Sequence, residues 1–247
     1  MTTAEFGLLV LAGMAAGLTG AIAGLASVIS YPALLAAGLS PVIANVTNSV
    51  ALVFSGAGSA LGARPELRGQ GRRLRVLGPA AALGGALGAL LLLITPAGAF
   101  EKAVPVLIGG AAVCVLLPRP RVPRQVAGPD ARWVVAAVFG VSVYGGYFGA
   151  AAGVLMLALL LNTTTETLPV SNAIKNAVLA LANGIAAVGF AFFSDVRWLA
   201  ALPLAIGFFA GGLVGPKVVR RLPARPLRLL IATLGLAIAI RLGLQAY

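Results

Sequence analysis

The chain has 247 residues, of which 60% are hydrophobic and only 10% charged, with a formal net charge of +12. Its mean hydropathy is +1.02. A soluble domain carries about 25% charged residues, so this much apolar surface excludes one and calls for a polytopic membrane protein. The single cysteine, Cys114, excludes an internal disulfide, and the lack of histidine excludes a histidine-based metal site or general base. Nucleic acid is not the expected partner of the positive charge, because the basic residues cluster in short segments between apolar runs. No cofactor, metal or catalytic residue is expected.

In chain order, the runs 42–63, 75–95, 102–118, 170–193, 198–216 and 226–244 are each long enough to cross a bilayer core. Two further runs, 4–39 and 132–162, are too long for one simple crossing. Each holds a glycine series, Gly17, Gly20 and Gly24 in the first and Gly146, Gly149 and Gly153 in the second. The first also contains Ser30-Tyr31-Pro32. Breaks are expected inside both runs.

The two glycine series have the same spacing, which suggests an internal repeat. Further on, Pro41, Asn48 and Gly56 recur as Pro169, Asn176 and Gly184, and Gly84, Gly85 and Gly88 as Gly211, Gly212 and Gly215. The expected organisation is a first repeat over 1–118, a basic connector over 119–131 and a second repeat over 132–247.

Charge orients the halves. The basic loops 64–75, 119–132 and 217–228 fall on the cytoplasmic side by the positive-inside rule. The counterparts of the first and last in the other half, near 194–197 and 95–101, are not basic-rich. Equivalent loops then face opposite sides, the mark of an inverted repeat. The expected fold class is an all-α polytopic membrane protein of two inverted-topology repeats, each a glycine-rich broken helix or hairpin followed by three transmembrane helices. The alternative, one long tilted helix per run, gives parallel repeats and puts a basic loop on the wrong side.

The polar residues inside the spans are the candidate site. On a helix, Asn172, Asn176 and Asn183 fall within about 40° of one another, with Lys175 at the edge of that face. Asn45, Asn48, Ser49, Ser55 and Ser59 share a broad side of the equivalent helix. Two polar stripes can meet around a central path. Such residues also serve plain helix packing, and Lys175, six residues after Pro169, is near enough to its span's start to snorkel. An ionisable residue within a span is nevertheless a functional-site candidate by default. The glycines allow close packing, or unwound backbone whose N–H groups bind an anion. Ser27, Ser30, Tyr31, Tyr144 and Tyr147 flank the breaks and could add donors.

All six carboxylates, Glu5, Glu66, Glu101, Asp130, Glu166 and Asp195, lie at run ends or in loops. A buried carboxylate relay of the proton-coupled kind is therefore not evident. Export of an anion from a negative interior needs none, since the potential supplies about 2.3 kcal/mol per charge per 100 mV.

The duplicated openings "GLTGAIAGLASVISYPALLAAGLSP" and "YGGYFGAAAGVLMLALLLN" are followed by "ANVTNSVALVFSGAGSALGA" and "SNAIKNAVLALANGIAAVGFAF". With the late "GFFAGGLVGPKVVRRLPARPLRLLIATLGLAIAIRL", they resemble the TauE/SafE sulfite exporter family, also called the toluene sulfonate uptake permease family, over nearly the whole length. The resemblance implies a multi-pass inner-membrane transporter of small sulfur-containing or carboxylate anions such as sulfite, thiosulfate or organosulfonates. Lys175 matches the basic residue often found in the family's second-half motif. The first motif departs from the family pattern, with Ala and Ile where glycine often stands.

The expected function is transport, in the export direction, of a small anion by alternating access. Lys175 supplies charge, and Asn48, Asn172 and Asn176, with Asn45, Ser30 and Tyr31 nearby, supply hydrogen bonds. Gly20, Gly24, Gly149 and Gly153 permit the breaks beside the site. The rivals are an anion channel and a non-transporting assembly factor; an enzyme is not expected. Besides the substrate, the partners are membrane lipids, and glycine-rich lipid faces could support a homodimer.

Overall fold

The computed structural model describes residues 2–116 and 131–220, with the single positions 233, 237, 240 and 244 beyond them. Nearly all of the expected connector, the expected last span 226–244 apart from those single positions, and basic residues 221–228 lie outside the described residues. Among those described, every regular element is a helix and there is no strand. The helices are α1 (Thr3–Ala23), α2 (Ala26–Ala36), α3 (Pro41–Gly62), α4 (Arg64–Leu67) and α5 (Gly71–Ile94). They continue with α6 (Ala97–Leu116), α7 (Arg132–Tyr147), α8 (Ala152–Thr163), α9 (Leu168–Phe193) and α10 (Trp198–Val219).

Five of these, α1, α3, α5, α9 and α10, are long and apolar enough to cross a membrane. Helices α2 and α8 have 11 and 12 residues. At 1.5 Å per residue they reach little more than half of a hydrocarbon core of about 30 Å. Both long glycine-rich runs are thus interrupted. The first breaks at Gly24 and Leu25, and the second over residues 148–151. Ser30-Tyr31-Pro32 is no break: it lies inside α2.

The first break is built by Gly24, whose left-handed backbone (φ +79°) caps α1 while its N–H donates to the Gly20 carbonyl at 2.8 Å. Gly149 takes the same conformation (φ +74°) just after α7, followed by Ala151 at φ +65°. A side chain at either glycine would be strained. Backbone conformation therefore pairs Gly24 with Gly149, not with Gly153 as the letter pattern does.

Helices pack where glycines remove the side chain between them. A Cβ on Gly13 or Gly17 of α1 would overlap the Leu204 or Phe208 carbonyl of α10, and one on Gly207 or Gly211 would overlap Val10 or Met14. The same device joins α5 to α7, through Gly84 at Phe139 and Gly88 at Val143. Gly212 meets the Ser55 carbonyl of α3, as Gly85 meets the Ala182 carbonyl of α9. Aligning Ser55 with Ala182 by these contacts matches Asn45 to Asn172, and Asn48 to Lys175 where letter spacing matches it to Asn176.

The contacts also fix directions. Along α1, Gly13 and then Gly17 meet Leu204 and then Phe208, so α1 and α10 run in the same sense. Thr47 accepts from the Arg197 backbone N–H and Gly62 meets Leu213, so α3 shares that sense. Helices α5, α7 and α9 run together in the other sense: the α9 side chains Asn172 and Lys175, near its start, lie on the end of α1. Each trio takes two helices from one sequence half and one from the other.

Two ion pairs tie loops together at one end of the bundle. Arg220 holds Glu66 at 2.7 Å, and Arg73 holds Glu166 at 3.0 Å. Hydrogen bonding to Arg220 pulls the Glu66 carboxyl below the usual range. A lowered carboxyl stabilises the fold above its unfolded value, and that contribution disappears as pH falls through the folded value. Being largely solvent-facing on the Arg220 side, the pair contributes little.

Tight glycine contacts give a stability prediction. Gly207→Ala should lower the thermal midpoint in detergent, at a cost of about 1–3 kcal/mol for overpacking. Gly140→Ala, whose Cβ would meet nothing within 4 Å, should leave it unchanged or raise it.

Candidate functional site

Breaking α1 in the apolar interior leaves the carbonyls beyond Gly20, whose own oxygen takes the Gly24 N–H, without helical N–H partners, and these must be satisfied by other groups. Helix α9 supplies them. Asn172 Nδ2 donates to the Ala21 carbonyl at 2.7 Å and Asn176 Nδ2 to the same oxygen at 3.3 Å. Lys175 Nζ donates to the Gly20 carbonyl at 3.0 Å and lies 3.5 Å from Ala21 O. Lys175 is 0% exposed, so it does not snorkel to the surface.

The other half has a lighter version of this arrangement. Asn45 of α3 donates to the Tyr147 carbonyl, the last of α7, at 2.9 Å. Asn45 and Asn172 thus occupy matching positions, each joining its own half to the broken helix of the other. The Oδ1 atoms of both have no protein partner. Asn48, opposite Lys175 in the repeat, turns elsewhere: it accepts from Ser30 Oγ at 2.6 Å and donates to Ser27 Oγ at 3.1 Å, holding α2 to α3.

Between these elements is a cavity of ≈ 70 Å³. That is several times the minimum for one water, enough for a small anion with some hydration. Lys175, Asn176 and Asn183 of α9 form one wall and Ser55, Gly56 and Ser59 of α3 the facing one. The breaks close it with Gly20, Gly24 and Ser27 on one side and Gly149, Ala152 and Gly153 on the other. Gly24 and Gly153 abut so closely that a Cβ on either would overlap the other's backbone.

Of the expected site residues, Lys175, Asn176, Gly20, Gly24, Gly149 and Gly153 therefore share one cavity. Asn172 is adjacent to it, bonded to the same carbonyl as Asn176. Asn45, Asn48, Ser30 and Tyr31 are not on its wall. The first three are engaged in holding helices. Tyr31 packs edge-on against Phe148 at 5.4 Å between ring centroids, its hydroxyl buried without a protein partner. The wall also includes Ser55, Ser59 and Asn183, which the helical periodicity had placed on the two polar faces. Among the described residues no cluster of His, Cys, Asp or Glu could hold a metal ion.

A buried ammonium between two helix breaks, in a chain of this hydropathy, fits the setting of a membrane transporter. The profile of the sulfite exporter TauE/SafE family matches residues 9–242. The chain belongs to the TauE/SafE family. It is a multi-pass membrane protein of a transporter family and not an enzyme. It is also similar to a probable membrane transporter protein, ORF9, of a Sinorhizobium species, with 30% identity over 244 residues. That match covers 95% of this chain and 90% of the relative. No solved structure matches.

The capping amides carry a prediction. Asn172→Ala strips a buried carbonyl of a donor and should cost about 1–3 kcal/mol, read as a lowered thermal midpoint. Asn45→Ala, at the matching position, should lower it comparably; no change in either variant would show that the caps contribute nothing.

Proposed function

We propose that this TauE/SafE protein is a secondary transporter of a small sulfur-containing or organic anion, such as sulfite, thiosulfate or a short sulfonate. The carrying observation is Lys175, fully buried on the wall of a cavity that holds no carboxylate among the described residues. A buried charge costs several kcal/mol unless it is paired. Carbonyl contacts ease that cost without neutralising the charge, so an anion in the cavity would complete the pairing. The printed description of the relative, a probable membrane transporter, agrees with this reading.

Alternating access follows from the repeat. Helices α1 and α7, and likewise α3 and α9, open the two halves in matching roles and run in opposite senses, which supports two inverted repeats. The domain limits are then 1–118 and 132–247 joined by the connector. The cavity lies where the broken helices of the two repeats meet, the usual place for a site in such transporters. Rocking of one trio of helices against the other would open it first to one side and then to the other.

Placement of charge supports the orientation. Arg64, Arg68, Arg72, Arg73 and Arg75, the start of α7 at Arg132, and the end of α10 with Lys217 and Arg220 gather at one end of the bundle, linked by the two ion pairs. By the positive-inside rule this end is cytoplasmic, and the N-terminus of α1 is on the outer side. Export then moves negative charge down the potential.

The test is sulfite flux in proteoliposomes. Lys175→Met keeps the stem's bulk and loses the charge; it should reduce flux by about tenfold or more while the protein remains monodisperse. Lys175→Arg should retain part of the flux. Unchanged flux in Lys175→Met would reduce the lysine to a cap for α1.

A further inference from the structure

The charge around the cavity sets the valence of what it can hold. This argument rests on the cavity being the substrate site. Four helix ends meet its wall. Helices α2 and α8 begin there, at Ala26 and Ala152. Their N-caps, Leu25 and Ala151, make no side-chain capping bond. Each such end presents backbone N–H groups equivalent to about half a positive charge. Helices α1 and α7 end beside the same wall, at Gly24 and near Gly149, with about half a negative charge each.

The four ends cancel, and Lys175 remains. Among the described residues, every other polar side chain on the wall is neutral: Ser27, Ser55, Ser59, Asn176 and Asn183. The cavity therefore carries about one net positive charge. An ammonium has three N–H donors. Two face the Gly20 and Ala21 carbonyls, at 3.0 and 3.5 Å, which leaves one for a ligand. Against one buried ammonium, a bound monoanion closes the balance. A dianion leaves an unpaired negative charge with no second cation on the wall among the described residues to meet it, and an uncompensated buried charge is strongly unfavourable.

We infer that the cavity takes its substrate as a singly charged oxyanion and discriminates against a doubly charged one of the same shape. Sulfite would enter in its hydrogen-sulfite form. This narrows the range proposed above: thiosulfate and sulfate, both dianions at neutral pH, would be poor substrates, and short monosulfonates good ones within the size limit.

Methanesulfonate and sulfate make the test. Both are tetrahedral about sulfur and similar in size, and at neutral pH they differ by one charge. Initial rates for each would be measured in proteoliposomes of the full chain, beside Lys175→Met and with sulfite as a third substrate. The expected result is a kcat/KM for methanesulfonate about tenfold or more above that for sulfate, with the methanesulfonate flux lost in Lys175→Met. Sulfate moving as well as methanesulfonate, in a Lys175-dependent way, would overturn the monoanion inference and leave the transporter reading standing. No protein-dependent flux of any of the three anions would overturn both.

Discussion

A helix that stops inside an apolar medium leaves carbonyls that no water can satisfy. The rest of this structure is arranged around that constraint at Gly24. Capping by Asn172, Lys175 and Asn176 requires α9 to pass the end of α1 closely. That approach requires α10 and α3 to lie where their glycines allow contact. The lysine that meets the carbonyl requirement also introduces a positive charge. One feature thus creates both the architecture's central joint and the chemistry of the cavity.

The joint is shared between the halves. Asn172 reaches from the second half to α1, and Asn45 reaches from the first half to α7. The two are not equal in strength, since only one break has a lysine. Two joints of unequal strength would suit the alternating access proposed above, in which one could loosen while the other holds. In the proposed transport, an anion on the third N–H of Lys175 would draw the ammonium away from the Gly20 and Ala21 carbonyls, and so would act on the stronger joint.

Much of this was legible in the residues. Composition gave the membrane class, and the glycine series marked both broken runs. The polar faces of the two central helices held Lys175, Asn176, Asn183, Ser55 and Ser59, which line one cavity. The repeat register was less legible. Gly24 and Gly149 are equivalent by their left-handed backbone, a property that spacing of the letter G does not reveal. The partner of Lys175 was hidden for a related reason: it is the backbone carbonyl of Gly20, on a helix 155 residues away in sequence. The roles of Asn45 and Asn48 as helix ties depend on contacts between distant segments and had no local signature.

The central claim, that this cavity is the anion's path, is tested most directly by a cysteine on its wall. In a Cys114→Ser background, Asn183→Cys would be exposed to a membrane-impermeant thiol reagent from each side of the proteoliposome, with and without methanesulfonate. The account predicts labelling from both sides over time, slowed by the anion. Labelling from neither side, or labelling that no anion slows, would contradict it.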